Sequence, residues 1–103
     1  MPSGTNFYGS VLKAIACTRN RNFNDAEYTQ GVIEPSRRIR SLMQACGDGT
    51  PTEEQIRETF ALLQQIFETK RVDDEERQSR MKEIVQRNDL HHLLIESISD
   101  PDH

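Results

Sequence analysis

The most constraining stretch of the chain is residues 50–67, TPTEEQIRETFALLQQIF, which has the pattern of a capped amphipathic helix. Thr50 and Glu53 stand in capping-box spacing, and Pro51 falls at the first helical position, where a missing N–H costs nothing. Four large apolar residues follow at spacings of four, three and four, which places them on one stripe: Ile56, Phe60, Leu63 and Phe67. The pattern predicts a helix over 52–70 whose stripe fills either a core or a self-association seam.

The composition fits one small domain. The chain has 103 residues, of which 34% are hydrophobic, and it contains no Trp. A chain of this length buries one modest core, and its apolar residues are clustered and periodic, which argues against disorder. A lean core with concentrated apolar stripes favours a homodimer or a fold completed by a partner.

Helical periodicity extends to both sides of the central helix. The full set of predicted helices is 7–18, 35–46, 52–70, 73–87 and 89–98. Because the connection between the helix at 52–70 and the next one is very short, we expect the two to form an antiparallel hairpin. The predicted fold is therefore all-α: a small bundle of four to five helices with a C-terminal antiparallel helical hairpin.

Punctuating residues set the expected helix ends. Asn6 is a candidate cap for the first helix. Gly31 is expected to break a short helical turn at 25–30, and Pro35 to restart the chain as a helix that ends at Gly47 in a left-handed stop. Asp73, with an acid three residues on, is a capping-box start for the fourth helix.

The predicted domain organisation is a flexible N-terminal arm at 1–6, a single helical domain at 7–98 and a flexible tail at 99–103. No apolar run approaches the roughly 20 residues that span a bilayer, and the N-terminus lacks the pattern of a signal peptide. We therefore expect no membrane association and an intracellular, cytoplasmic location, with the nucleus left open. Cys17 and Cys46 are interpreted as reduced thiols, although a bridge between them is left open.

No motif for catalysis, for a metal or for a cofactor stands out. His91 and His92 are adjacent, so on a helix they point about 100° apart and cannot chelate one ion. The acidic run at 73–76 lacks the spacing of a calcium loop and is explained as a helix N-terminus. We predict no catalytic residues, no metal site and no cofactor, and we expect the protein not to be an enzyme.

Charge is distributed unevenly. Residues 1–46 carry a net charge of +3 and residues 47–103 a net charge of −7, an asymmetry that can mark an interaction surface. If the first two helices pack together, six cations form one basic surface: Lys13, Arg19, Arg21, Arg37, Arg38 and Arg40. Such a surface suits an acidic protein patch or nucleic-acid phosphate.

The helix that holds the arginines has one parallel. The spacing from Arg37-Arg38 to Ala45-Cys46 resembles the double-stranded-RNA-binding helix of the small silencing suppressors of insect nodaviruses. Those helices continue with more basic residues, whereas this chain turns at 47–49. The resemblance implies RNA binding only, and we assign no family from it.

Two function classes follow from the sequence. The first is a non-enzymatic helical protein–protein interaction module (an adaptor, regulator or inhibitor) that self-associates, with Ile56, Phe60, Leu63 and Phe67 as the candidate seam. The alternative is an RNA-binding protein that uses the basic helix around Arg37–Arg40.

Overall fold

The computed structural model describes residues 4–18 and 24–90, and every regular element within those two ranges is helical. The elements are α1 (Gly4–Cys17), α2 (Asp25–Tyr28), a π-helical segment (Thr29–Ile33), α3 (Glu34–Cys46), α4 (Glu53–Thr69) and α5 (Asp74–Arg87). The all-α prediction is confirmed, and the described part of the chain contains no strand. Of the helix predicted at 89–98, only Asp89 and Leu90 are described, and neither is helical.

The central helix α4 forms as predicted, but its cap lies two residues later. Thr52 is the N-cap residue: its side chain accepts from the N–H of Gln55, and the Gln55 side chain accepts in return from the N–H of Thr52. The prediction that Thr50 caps the helix and that Pro51 is its first residue was wrong. Pro51 precedes the cap, so its missing N–H has no bearing on the helix.

The first helix begins three residues earlier than predicted. Gly4 is buried, and its N–H donates to the carbonyl of Gly49 at 2.7 Å, which fastens the start of α1 to the turn between α3 and α4. Residues 4–6, which we expected in a flexible arm, are therefore helical. Asn6 is not a cap; its side chain donates to the side chain of Asn88 at 2.9 Å.

The chain does not break at Gly31, contrary to the prediction. The backbone stays right-handed helical through Tyr28, Thr29, Ile33 and Glu34, so α2, the π-helical segment and α3 run on without interruption. The N–H of Glu34 donates to the carbonyl of Thr29, five residues back. A π segment inserts one extra residue into a helix, and here it ends at Ile33, two residues before Pro35, which cannot supply a helical N–H.

Two helices end in Schellman motifs that contain no glycine. In α4 the N–H of Val72 donates to the carbonyl of Phe67 and that of Arg71 to the carbonyl of Glu68, and the turn after α5 repeats both bonds. The residues in the left-handed position are Arg71 (φ 57°) and Asp89 (φ 56°). Without a glycine, the sequence carries no signal for the geometry of either turn. Gly47 ends α3 at φ 59° and ψ −134°, a positive φ but not the predicted left-handed helical conformation.

One hydrophobic core lies where α1 crosses α3, α4 and α5. Phe7 meets the rings of Tyr8 and Phe60 edge-on, with centroids 4.9 and 5.8 Å apart. The apolar stripe of α4 is buried within this core. The antiparallel α4–α5 hairpin stays a prediction. None of the described helices combines the length and the apolar character that crossing a bilayer requires.

Candidate functional site

A groove separates α1 from the long helix that contains the π-helical segment and α3. Its cavity volume is about 440 Å³, within the range of ligand and side-chain pockets in proteins. The lining residues are Leu12, Ile15, Ala16, Thr18, Tyr28, Val32, Ile33, Ser36, Arg37, Arg40 and Lys70. We call this feature the α1/α3 groove.

The wall on α1 is a second apolar stripe. The core takes Phe7, Tyr8, Val11 and Ala14, which are all buried. Leu12, Ile15 and Ala16, at i, i+3 and i+4, form a second stripe that lines the groove. Leu12 and Ile15 are half-buried and also pack against the core, and Ala16 is exposed. The helix thus carries more apolar surface than the described residues of the core cover.

The opposite wall depends on the π-helical segment. Val32, Ile33 and Ser36 line the groove on this side; Val32 is buried, and Ile33 and Ser36 are half-buried. Gly31 lets this segment approach α4 closely, because a Cβ at that position would lie 2.8 Å from the Cβ of Thr69. Because the π segment adds one residue to its turn, it determines which of the side chains before α3 lie on the face that lines the groove.

Two arginines stand at the rim. Arg37 and Arg40 are exposed, line the groove and lie three residues apart on α3. Within residues 4–18 and 24–90, no carboxylate pairs with either of them. Arg38, by contrast, donates through Nε and Nη2 to both carboxylate oxygens of Glu58 on α4, at 2.7 and 3.3 Å. Among the described residues, Arg38 is therefore engaged by a carboxylate and the two groove arginines are not.

Lys70 lies beneath the rim and is only 3% exposed. Its ammonium donates to the carbonyl of Ile15 (3.1 Å), the carbonyl of Thr18 (3.2 Å) and the hydroxyl of Thr18 (2.7 Å). These three bonds use all of its protons, and they place a cation at the negative end of α1. Burial lowers the pKa of Lys70 from its ordinary value of 10.5.

Of the predicted basic surface, the structure describes four cations, and these four lie in three different surroundings. Arg37 and Arg40 lie together in the α1/α3 groove, and Arg38 forms a salt bridge with Glu58 of α4. Lys13 lies on the other side of α1, beside a small notch that it shares with Arg80 and Arg87 of α5. Arg19 and Arg21 lie outside the described residues.

The predicted self-association seam lies inside the single chain. Ile56, Phe60, Leu63 and Phe67 are each at most 3% exposed, so they have no free surface to offer a second copy. Cys17 is exposed and Cys46 half-buried, and both are free thiols. Among the described residues no cluster of side chains could hold a metal ion; His91 and His92 lie outside them.

Sequence reasoning missed the groove itself and the part that Lys70 plays in it. In the sequence Lys70 is only the last residue of the helix predicted at 52–70, whereas in the structure its side chain caps α1. One signal for the groove was present, because apolar residues cover more than half the circumference of α1. No family model matches this chain, and neither the curated proteins nor the solved structures include a match.

Proposed function

We propose that this protein is a non-enzymatic protein-interaction module, an adaptor, regulator or inhibitor, whose partner binds in the α1/α3 groove. The observation that carries the proposal is an open cavity of about 440 Å³ with apolar walls and two arginines at its rim that have no carboxylate partner among the described residues. Burial of the apolar walls by a partner is favourable, and guanidinium groups that are not engaged by a carboxylate favour a partner that supplies carboxylates. The partner is therefore an acidic protein segment with apolar side chains.

The residue types in the groove favour binding over catalysis. No carboxylate, imidazole or thiol is among the described residues that line it. The one amine, Lys70, has all three protons engaged, so it is not placed to transfer a proton to a bound molecule. The helical bundle, with α4 and α5 as an antiparallel hairpin, serves in this proposal as the rigid support of the groove.

Nucleic acid remains the alternative partner. Arg37 and Arg40 could contact phosphates, but Arg38 is already paired with Glu58 and Lys13 lies on another face. Phosphate binding gains from a continuous run of cations and gains nothing from the apolar walls formed by Leu12, Ile15 and Ile33. The groove therefore favours a protein segment.

Self-association stays part of the proposal, on a different surface. Since the stripe of α4 is buried, a second copy would bind through charge, with the acidic first turn of α4 or α5 approaching cations outside the groove. Glu53, Glu54, Asp74 and Glu75 occupy those turns. Such a contact joins different surfaces of the two copies and weakens as salt rises.

Affinity capture from the native host tests the proposal when it is made to depend on the groove. The bait is the full chain, compared with Arg37→Glu/Arg40→Glu and with the matched double reversal Lys82→Glu/Arg87→Glu on α5. We expect the control to retain the captured protein and the groove variant to lose it, with and without RNase treatment. Capture that RNase abolishes supports the nucleic-acid alternative, and equal capture by all three baits would disprove the role of the groove.

A further inference from the structure

We infer that the α1/α3 groove takes an amphipathic acidic helix, with apolar side chains on one face and two carboxylates one helical turn apart beside them. This inference rests on the proposed function and names the form of the partner.

The dimensions suit the side chains of one helix face. The wall from Ile33 to Arg40 spans eight residues, or about 10 Å along the axis, which is about two turns of a docked helix. A whole helix, about 10 Å across with its side chains, does not fit in 440 Å³. A few apolar side chains do, with the helix backbone resting on the rim.

The cations are spaced for carboxylates on a helix. Arg37 and Arg40 are three residues apart, so they are neighbours on α3, separated by about 4.5 Å along its axis. Acidic residues at i and i+3 or i+4 of a partner helix have a similar separation, and each can accept two hydrogen bonds from one guanidinium. The buried charge of Lys70 adds to the positive potential without competing for the ligand, because its protons are already donated.

Other modes of peptide recognition fit this groove less well. Addition of a strand needs a free sheet edge, and the described part of the chain has no strand. Proline-rich segments bind in grooves lined by aromatic rings, whereas Tyr28 is the one aromatic residue among those that line this groove. The recognition mode that fits is a helix that inserts its apolar face between two other helices.

Fluorescence polarisation with the full chain tests the inference. The probe is a labelled synthetic helix of about 16 residues, long enough to hold helical structure, with a leucine stripe and two glutamates one turn apart beside it. A second probe has the same composition but carries both glutamates on the face opposite the leucines. We expect the first probe to bind about tenfold more tightly, since only its carboxylates reach both arginines.

Charge exchange provides the matched control. Arg37→Glu/Arg40→Glu should lose the glutamate helix and bind a version with lysines in place of the glutamates, whereas Lys82→Glu/Arg87→Glu should behave as the unaltered chain. Circular dichroism confirms that all three chains are folded equally. Recovery of binding by the exchanged pair excludes a loss of affinity caused by misfolding.

Several results would overturn the inference. Equal affinity for both glutamate probes would mean that the chain attracts negative charge wherever it lies on the probe helix, without alignment of the glutamates to Arg37 and Arg40. Failure of both probes, together with groove-dependent capture of a host protein, would reject the helical form of the partner and leave the proposed function standing. Self-association that depends on Arg37 and Arg40 would assign the groove to a second copy, and an RNA oligonucleotide that displaces the helix at micromolar concentration would overturn both proposals.

Discussion

Replacement of Lys70 by Met should destabilise the protein although it removes a buried charge. The side chain is 3% exposed, and its ammonium holds together the end of α1 and the end of α4. Met keeps most of the apolar stem and removes the donors. The experiment therefore isolates the three hydrogen bonds from the packing of the side chain.

The magnitude follows from which acceptors lose their donor. The Ile15 carbonyl keeps the Thr18 hydroxyl as a donor at 2.7 Å, so it stays satisfied. The Thr18 carbonyl and hydroxyl lose the ammonium in a buried setting, and each such loss costs about 1–3 kcal/mol. Removal of a desolvated cation offsets part of that cost. We expect a net loss of about 2 kcal/mol in the free energy of unfolding, which lowers Tm by about 8–16 °C in a domain of this size.

Urea denaturation followed by circular dichroism measures the change, with Lys82→Met as the control. Lys82 is exposed on α5, and its replacement should alter the free energy of unfolding by no more than about 0.5 kcal/mol. If Lys70→Met is as stable as the control, or more stable, the hydrogen bonds do not offset the burial of the ammonium and the reasoning fails.

The same variant tests the pH dependence. The pKa of Lys70 is lowered by burial below 10.5, so between its folded pKa and 10.5 the unfolded chain binds more protons than the folded one. The contribution of Lys70 to stability therefore rises with pH across that window. Lys70→Met should lack this rise when unfolding is measured at a series of alkaline pH values; an unchanged profile would contradict the assignment.

Three further predictions concern the turns, the packing and the core. Arg71→Gly should stabilise the protein by about 0.5–1 kcal/mol because Arg71 has a positive φ. Asp89→Gly should stabilise it less, because Asp tolerates that conformation better than Arg does. A lower Tm for Arg71→Gly in thermal unfolding would refute this. Gly31→Ala should lower the free energy of unfolding by about 2 kcal/mol, because the new Cβ clashes with the Thr69 side chain. In a double-mutant cycle, Gly31→Ala/Thr69→Ala should lose less stability than the sum of the two single variants, whereas additive losses would exclude the clash. Burial raises the pKa of Tyr8 above its ordinary 10.0, so above pH 10.0 the folded chain binds more protons than the unfolded chain and the free energy of unfolding falls as pH rises. Tyr8→Phe should make that fall shallower when unfolding is measured at a series of alkaline pH values. An equally steep fall in the variant would contradict the role of Tyr8.

The features that sequence reasoning found are those set by neighbours along the chain. Asp73 caps α5 through a bond from the N–H of Glu76, three residues away, and this was predicted from the spacing alone. The stripe of α4 was likewise evident from its four-three-four spacing. Such interactions stay within one or two helical turns, so no knowledge of the packing is needed to predict them.

The misses have physical causes of two kinds. Gly31 was interpreted by its intrinsic preference, which predicts a break, but packing of the π-helical segment against α4 holds the chain helical through it. Arg71 and Asp89 occupy positions that usually require glycine, so the turns after α4 and α5 carried no sequence signal. In both cases tertiary contacts override a local preference of about 1–3 kcal/mol.

The sequence by itself determined the helical class, the stripe of α4 and the presence of arginines on α3, because periodicity and capping are local. Only the tertiary structure decided that the stripe of α4 faces the core of its own chain and that Lys70 caps a helix more than fifty residues away in the chain. It also decided that Arg38 pairs with Glu58, whereas Arg37 and Arg40 have no carboxylate partner within 4–18 and 24–90. These outcomes depend on which helix faces meet, and a pattern along one helix does not specify the face of another. The α1/α3 groove arises in the same way, where the second apolar stripe of α1 meets a wall that leaves it partly open.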